Sequence, residues 1–431
     1  MFNVIEELRW RGMIHDVFPG TEDYFSENCS AVYLGVDPTS DSMHIGNLVP
    51  VMMLVHMQRA GHTPYALVGG ATGMVGDPSG KDKERNLLTL EQVEVNVAGI
   101  AAQLRHFLDF EAPNKPVMVN NYDWFKNFGF LEFLRDVGKH ITIAYMMNKD
   151  SVKKRMESEA GISYTEFAYQ LLQGYDFLHL YQHHNVQLQV GGSDQWGNIT
   201  TGTELIRRVA GHEAQAFAAV CPLMTREDGS KFGKSADGSS VWLDAEKTSP
   251  YQFYQYWLNV GDNDAERLIK LFTLKDQAEI ASLVAGHQEA PHLRSLHKAL
   301  ADDITLRVHG PSGLSDAHLL TDFFFGRIKS RESLQELSEK QWQEVARSSE
   351  LLTLSRARLA EGIGILDLLA ETGITSSKGE AKRAIEKDKS VKLNMESCDS
   401  SETMITANDA FIGKYLYLQR GKKNKFIIEV R

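Results

Sequence analysis

An α/β fold, with a parallel sheet followed by a mostly helical stretch and a small α+β terminal domain, is predicted by three observations. First, the apolar run "AVYLGV" (31–36), the helical pattern "NLVPVMMLVHMQRA" and the run "TPYALVGG" (63–70) make a β-α-β unit, and such units build parallel sheets. Second, the pattern returns downstream as "VQLQVGG" (186–192), a helix in "QWGNITTGTELIRRVAG" and a strand in "AFAAVCPLM" (216–224). Third, a chain of 431 residues with 42% hydrophobic and 24% charged side chains can bury a sizeable core and holds two or three domains.

Each element has its own signal. The first helix carries Pro50 in its first turn and stops at Gly61, and the later one stops at Gly211, following the preference for Pro at helix starts and Gly just past their ends. "SYTEFAYQLLQGYDFLHLYQHH" (163–184) reads as a long helix, and from about Asp244 to Phe325 strand signals fade into helical ones. The charged stretch 329–350 reads as a connecting helix or linker, and from Leu351 a new apolar pattern marks a small domain.

Composition narrows the function classes. No run of roughly 18 apolar residues occurs, so a membrane span is not expected. The N-terminal stretch resembles neither a signal nor a transit peptide, which makes a cytoplasmic protein the expectation. Three distant cysteines, Cys29, Cys221 and Cys398, argue against a disulfide framework and a cysteine zinc site. The net charge of −11 hides an asymmetry: residues 376–431 hold 12 Lys and Arg against 8 Asp and Glu, a tail of +4 on a body of −15. That excess suits either RNA or a solvated face.

Three loops, "DPTSDSMHIGN" (37–47), "GGATGMVGDPSGKDKER" (69–85) and "GGSDQWGN" (191–198), follow strands directly. In open parallel sheets ligands bind beyond the carboxyl ends of the strands, so these loops are expected to meet in one cleft. The glycine spacing fits neither a dinucleotide fingerprint nor a P-loop. Lys81 and Arg85, four apart, can present two cations to an anion or form a solvated cluster. "SKFGKSADG" (230–238) sets Lys231 and Lys234 around Gly233 with Ser235 following, an arrangement suited to a polyphosphate whose charge redistributes during reaction. In the long helix, Tyr169, Gln173 and Asp176 share one polar stripe within an apolar helix, as a small polar ligand requires. His179, His183 and His184 lack a carboxylate or cysteine at ligand spacing and read as surface histidines, so no protein-bound metal is expected.

In order along the chain, "YLGVDPTSDSMHIGN", "GDPSGKDKER", "ISYTEFAYQLLQGYDF", "VGGSDQWGN" and "KFGKS" resemble the signatures of class I aminoacyl-tRNA synthetases, most closely the bacterial-type tyrosyl enzymes. "MHIGN" is similar to the HIGH motif and "KFGKS" to KMSKS; the tail "LLAETGITSSKGEAKRAIEKDKSVKLN" is similar to an S4-like RNA-binding domain. The resemblance implies a Rossmann-like catalytic domain (1–225), the KFGKS loop with a helical anticodon-binding domain (226–328), a linker (329–350) and an S4-like domain (351–431). It implies a homodimer that joins L-tyrosine to ATP, accompanied by Mg²⁺, and passes the tyrosyl group to tRNA(Tyr).

The resemblance also assigns roles. Tyr33 and Asp176 would hydrogen-bond the substrate phenol; Tyr169, Gln173 and Asp77 would hold its ammonium group, and Gln195 its carboxylate end. Gly35, Asp37, Gly191 and Asp194 would line the adenylate, with Asp194 on the ribose. Thr39, His44 and Gly46 would cradle ATP, and Lys81, Arg85, Lys231, Lys234 and Ser235 would stabilise charge moving onto pyrophosphate. The fourth HIGH position is Asn47 rather than His, and it keeps a hydrogen-bond donor near the ribose. Two other readings stay in view: a tryptophan-specific class I synthetase, and a non-catalytic RNA-binding protein on the same scaffold.

Overall fold

The computed structural model describes the whole chain except residues 1–2, 80–87, 158–160, 226–228, 230–231, 236–237, 329 and 422–423. Its first compact unit, Met1–Pro311, is built on six strands: β1 (Asp16–Val17), β2 (Ala31–Val36), β3 (Thr63–Val68), β4 (Val117–Asn120), β5 (Val186–Gly192) and β6 (Phe217–Cys221). They lie in the order β1-β6-β5-β2-β3-β4. All neighbours are parallel except β1, which runs antiparallel along β6 at the edge. The expected parallel sheet is therefore present with one antiparallel edge, and β1 and β4 were not anticipated, because two and four residues are too short for a periodic signal.

The chain leaves β2 toward β3 on one side, while β5 leads to β6 on the other, so the order reverses between β2 and β5. Register places Tyr33 directly beside Gln189 across that junction. Helix Leu48–Arg59 packs against the sheet with nearly every residue buried, and the chain turns out of it through Gly61 at φ 99°, a left-handed conformation that costs glycine little. Helix Tyr164–His184, capped by the Ser163 side chain on the Glu166 amide, ends at Asn185 in the left-handed region. It approaches helix Trp196–Ala210 closely: a Cβ on Gly202 would meet the Phe177 side chain at 2.9 Å. That contact sets the polar stripe of the first helix over the sheet junction.

Beyond the sheet come helices Pro250–Leu258, Asp262–Phe272, Gln277–Glu289 and one beginning at Ser295 that is broken at Gly310, in line with the helical reading. The buried Arg11 clamps the end of helix Asp262–Phe272, its guanidinium donating to the carbonyls of Lys270, Thr273 and Lys275 at 2.7–2.9 Å.

The second unit, Ser312–Arg431, has a five-stranded sheet in the order Glu396–Ser397, Val391–Leu393, Tyr415–Arg420, Asn424–Val430, Glu350–Leu354, of which only the last pair is parallel. Its core gathers Leu354, Ile365, Leu368, Ile385, Leu416 and Ile428. The two compact units divide at residue 311. Of the two readings of the stretch before Leu351, the connecting helix fits: helices Arg331–Gln335 and Glu339–Arg347 occupy it, and Trp342 is fully buried, with its ring 5.0 Å from Phe411 and 5.6 Å from Tyr415. Burying an indole outweighs the charged surroundings from which a linker was inferred.

Candidate active site

The carboxyl ends of β2 and β5 open into a cavity of about 370 Å³. Tyr33, Gly35, Asp37, Thr39, His44, Gly46, Asn47, Asp77, Tyr169, Gln173, Asp176, Gly191, Asp194 and Gln195 all line it, so the three loops and the helical stripe do meet. Lys81, Arg85 and Lys231 lie outside the described residues. Lys234 and Ser235 are described and do not line this cavity; Ser235 lines a neighbouring one with Ser239, Ser240 and Tyr256.

At the floor, Tyr33 and Asp176 are almost completely buried. Asp176 Oδ1 accepts from Trp124 Nε1 at 2.9 Å, and Oδ2 from Asn121 Nδ2 at 3.0 Å. Burial pushes the Asp176 carboxyl up to about 8, against the pull of those two donors, and Asp37 pushes the same way. Burial, followed by the nearby Asp176, lifts the Tyr33 phenol well above its ordinary range. Among the described residues, the Tyr33 hydroxyl and the side-chain oxygens of Gln173 and Gln189 have no hydrogen-bond partner. Buried polar atoms left unpaired are costly, and a cavity lined with them suits a ligand that brings its own donors and acceptors.

Two further carboxylates are held by the protein itself. Asp37 accepts from Thr72 Oγ1 and from the Tyr169 hydroxyl, each at 2.8 Å. Gly69 leaves room for this pair, since a Cβ there would collide with both Thr72 Oγ1 and Asp37 Oδ1. Asp77 Oδ2 accepts from Gln195 Nε2 at 2.6 Å, while its Oδ1 accepts from the Ser79 amide at 3.0 Å and Asn198 Nδ2 at 3.3 Å. Gln195 therefore orients Asp77 in addition to facing the cavity. Burial and then Asp37 raise the Tyr169 phenol well above its usual value.

The turn Ile45–Asn47 is closed reciprocally: His44 Nδ1 accepts from the Gly46 amide and Asn47 Oδ1 accepts from the His44 amide, both at 3.1 Å. Asn47 thus has a structural task besides facing the cleft. This turn is tied to the chain after the second lysine motif. The Ile45 amide donates to the Val241 carbonyl at 3.0 Å and the Leu243 amide to the Met43 carbonyl at 2.9 Å. Gly233, at φ 89°, lies against Gly46, where a Cβ would come within 3.3 Å of the Gly46 nitrogen. Lys234 Nζ donates to Ser240 Oγ at 3.0 Å, and Ser235 Oγ to the Ser239 carbonyl at 3.1 Å. The backbones of the two signature motifs are adjacent although the Lys234 side chain is turned toward Ser240.

Several residues escaped the sequence reading. Thr72, Ser79, Gln189 and residues 221–224 also line the cavity, and Asn121, Trp124 and Asn198 hold its carboxylates. Gln189 carried no signal of its own, because Gln187 stands two residues earlier on the same face of that strand, and Asn121 follows a strand too short to be recognised. His183 and His184 are exposed as expected, but His179 is half-buried, its ring stacked 4.4 Å from Trp124, and burial lowers it to about 4.

Comparison with known proteins agrees with this geometry. Residues 26–326 match the family described as tRNA synthetases class I (W and Y), and residues 352–428 match the Tyrosine--tRNA ligase SYY-like C-terminal domain. The chain is 53% identical over 431 residues to the tyrosine–tRNA ligase of Bacteroides thetaiotaomicron, covering 99% of both chains. The chain belongs to the class I tRNA synthetases, in their tyrosine–tRNA ligase branch. The ligase of Flavobacterium johnsoniae is 52% identical over 434 residues, covering all of both chains. Among solved structures, a C-terminally truncated mitochondrial tyrosyl-tRNA synthetase of Aspergillus nidulans superposes with a TM-score of 0.68 at 30% identity, covering 75% of this chain and 94% of that one. The cleft sits at the reversal of strand order, where loops from both halves of the sheet converge.

Proposed function

We propose that the cleft activates L-tyrosine with ATP and that the chain then transfers the tyrosyl group to tRNA(Tyr). The observation that carries this reading is the buried Tyr33–Asp176 pair at the floor of the cavity, with the Tyr33 hydroxyl unpaired among the described residues. A phenol reaching that depth donates to Asp176 and pairs with Tyr33. Tyr169, Gln173 and Asp77 receive the ammonium group, with Gln195 fixing Asp77 and facing the carboxylate.

The chemistry follows from placement. A substrate carboxylate oxygen attacks the α-phosphorus of ATP, a new P–O bond forms and pyrophosphate leaves with its bonding electrons. No general base is needed, because the carboxylate is already ionised, so catalysis is positioning plus electrostatics. Gly35, Asp37, Gly191 and Asp194 accommodate the adenosine, and the Thr39–Asn47 loop meets the phosphates. Lys234 and Ser235, together with Lys81, Arg85 and Lys231, act on the departing pyrophosphate after the loop carrying Gly233 swings toward the cleft. A ribose hydroxyl of the terminal adenosine of tRNA then attacks the adenylate carbonyl and AMP leaves.

Mg²⁺ enters with the nucleotide. The carboxylates of Asp37 and Asp77 are engaged in hydrogen bonds within the protein, and a bound Mg²⁺ would offset the charge of the phosphates. In the C-terminal unit, Lys378, Lys382 and Arg383 keep most of their side chains exposed, which supports contact with a tRNA backbone. Phe130, Leu131, Ile143 and Tyr164 are 61–79% exposed, and so many apolar side chains in one stretch of chain support a homodimer; light scattering should return about twice 48.4 kDa. The deciding experiment is amino-acid-dependent ATP–pyrophosphate exchange. Exchange with tyrosine alone is expected, tryptophan-driven exchange would overturn the phenol pocket, and none at all would leave only an RNA-binding scaffold.

A further inference from the structure

In the helical part of the first unit, away from the residues of the cleft, three side chains from three helices converge. Asp262 opens helix Asp262–Phe272, His287 lies in Gln277–Glu289 and His297 follows Ser295 at the start of the next helix. Both imidazoles are buried, at 3% and 0% exposure, while the Asp262 side chain is 62% exposed. Asp262 Oδ1 lies 3.3 Å from His287 Nε2 and 3.4 Å from His297 Nε2, and all three atoms fall within 4.8 Å of one another.

Those separations have a chemical meaning. A tetrahedral zinc ion with bonds of ~2.0–2.1 Å has ligand-to-ligand edges of ~3.3 Å, which the two Asp262–imidazole separations match. Ordinary hydrogen bonding does not account for the cluster as well. Among the described residues neither nitrogen of His287 has a hydrogen-bond partner, and neither does Nδ1 of His297, although a buried imidazole with an unused lone pair and an unused N–H is costly. His297 Nε2 also lies 3.1 Å from the Val260 carbonyl. A metal on Nε2 moves the ring proton to Nδ1 and leaves that carbonyl to Arg294, whose Nη2 is already 3.3 Å from it.

We propose that Asp262, His287 and His297 form a site for a borderline divalent cation such as zinc, with a fourth position open to water beside the exposed carboxylate. Two imidazoles and one carboxylate with an open position is a ligand set that zinc takes, and the ion would tie three helices together at a point where the protein leaves imidazole nitrogens unused.

The test uses the full chain stripped with chelator and then titrated with zinc alone, and in parallel with cobalt(II) alone. About one zinc per chain is expected, as are the visible absorption of tetrahedral cobalt and a zinc-dependent rise in melting temperature. Asp262→Asn alters only an exposed ligand, so the fold should persist while zinc binding weakens at least about tenfold, since even outer partners of a metal ligand are worth ~10–100-fold. His183→Ala controls for the other histidine group, where the His179 and His183 rings lie 4.5 Å apart, and should leave zinc binding unchanged. No zinc uptake, equal uptake by Asp262→Asn and the unaltered chain, or uptake lost in His183→Ala would each overturn the proposal.

Discussion

Replacing Asp176 by Asn tests the phenol pocket most directly. The carboxylate offers one oxygen to Trp124 Nε1 and the other to Asn121 Nδ2, and a bound phenol would add a third donor. Asn has a single acceptor oxygen, so one donor loses its partner. A buried donor left without its partner costs about 1–3 kcal/mol, which predicts a fall of about 5- to 150-fold in kcat/KM for tyrosine. Phenylalanine has no hydroxyl to lose, so its rate should hold and the preference for tyrosine should shrink by the same factor. The unaltered preference is expected near ~10⁵-fold, a figure that comes from tyrosyl-tRNA synthetases themselves and is not worked out from this structure. Pyrophosphate exchange with both amino acids, at saturating ATP, gives the ratio, and the KM for ATP should stay the same. An unchanged tyrosine-to-phenylalanine ratio would refute the pocket.

The same residue sets a pH dependence. With the folded carboxyl near about 8 and the unfolded one near ~3.9, the folded chain holds a proton that the unfolded chain has released between those values. Stability from this group is therefore full below pH ~4 and is lost as pH rises through about 8, by up to ~5 kcal/mol; chemical denaturation of the ligand-free chain across that window should show the slope flattened in Asp176→Asn. Lys234→Ala should slow adenylate formation with little change in tyrosine affinity, seen by stopped-flow against equilibrium binding; an unaltered rate would remove Lys234 from the reaction. A chain ending at Pro311 should retain pyrophosphate exchange and lose most tRNA charging, and equal charging would refute the RNA role of the C-terminal unit. Trp342→Ala should destabilise that unit by ~3–5 kcal/mol, measured by its unfolding transition, with exchange intact; an unshifted transition would return residues 329–350 to the status of a linker.

Much of this protein is legible in its amino-acid order, because the deciding signals are local. β2 and β5 match the apolar runs at 31–36 and 186–192 residue for residue, and helix Tyr164–His184 follows its capping serine. The cleft could be placed because loops that follow parallel strands must open at one edge of the sheet. The order did not reveal which polar groups satisfy one another: that Gln195 holds Asp77, that Tyr169 is tied to Asp37, or that Asn121 and Trp124 steady Asp176. Those bonds join residues 52 to 132 positions apart, and only the folded chain selects among so many possible partners. The same holds for Trp342, which reads as part of a charged connector until Phe411 and Tyr415 close over it. It holds also for Asp262, His287 and His297, whose spacing of 25 and 10 residues matches no ligand pattern and which become neighbours only through the packing of three helices. Sequence determined the elements and the chemistry each loop could offer, through short-range periodicity and turn preferences; tertiary structure decided which of those groups are buried, paired or left open to a ligand, because burial and hydrogen-bond satisfaction are properties of the whole packed unit.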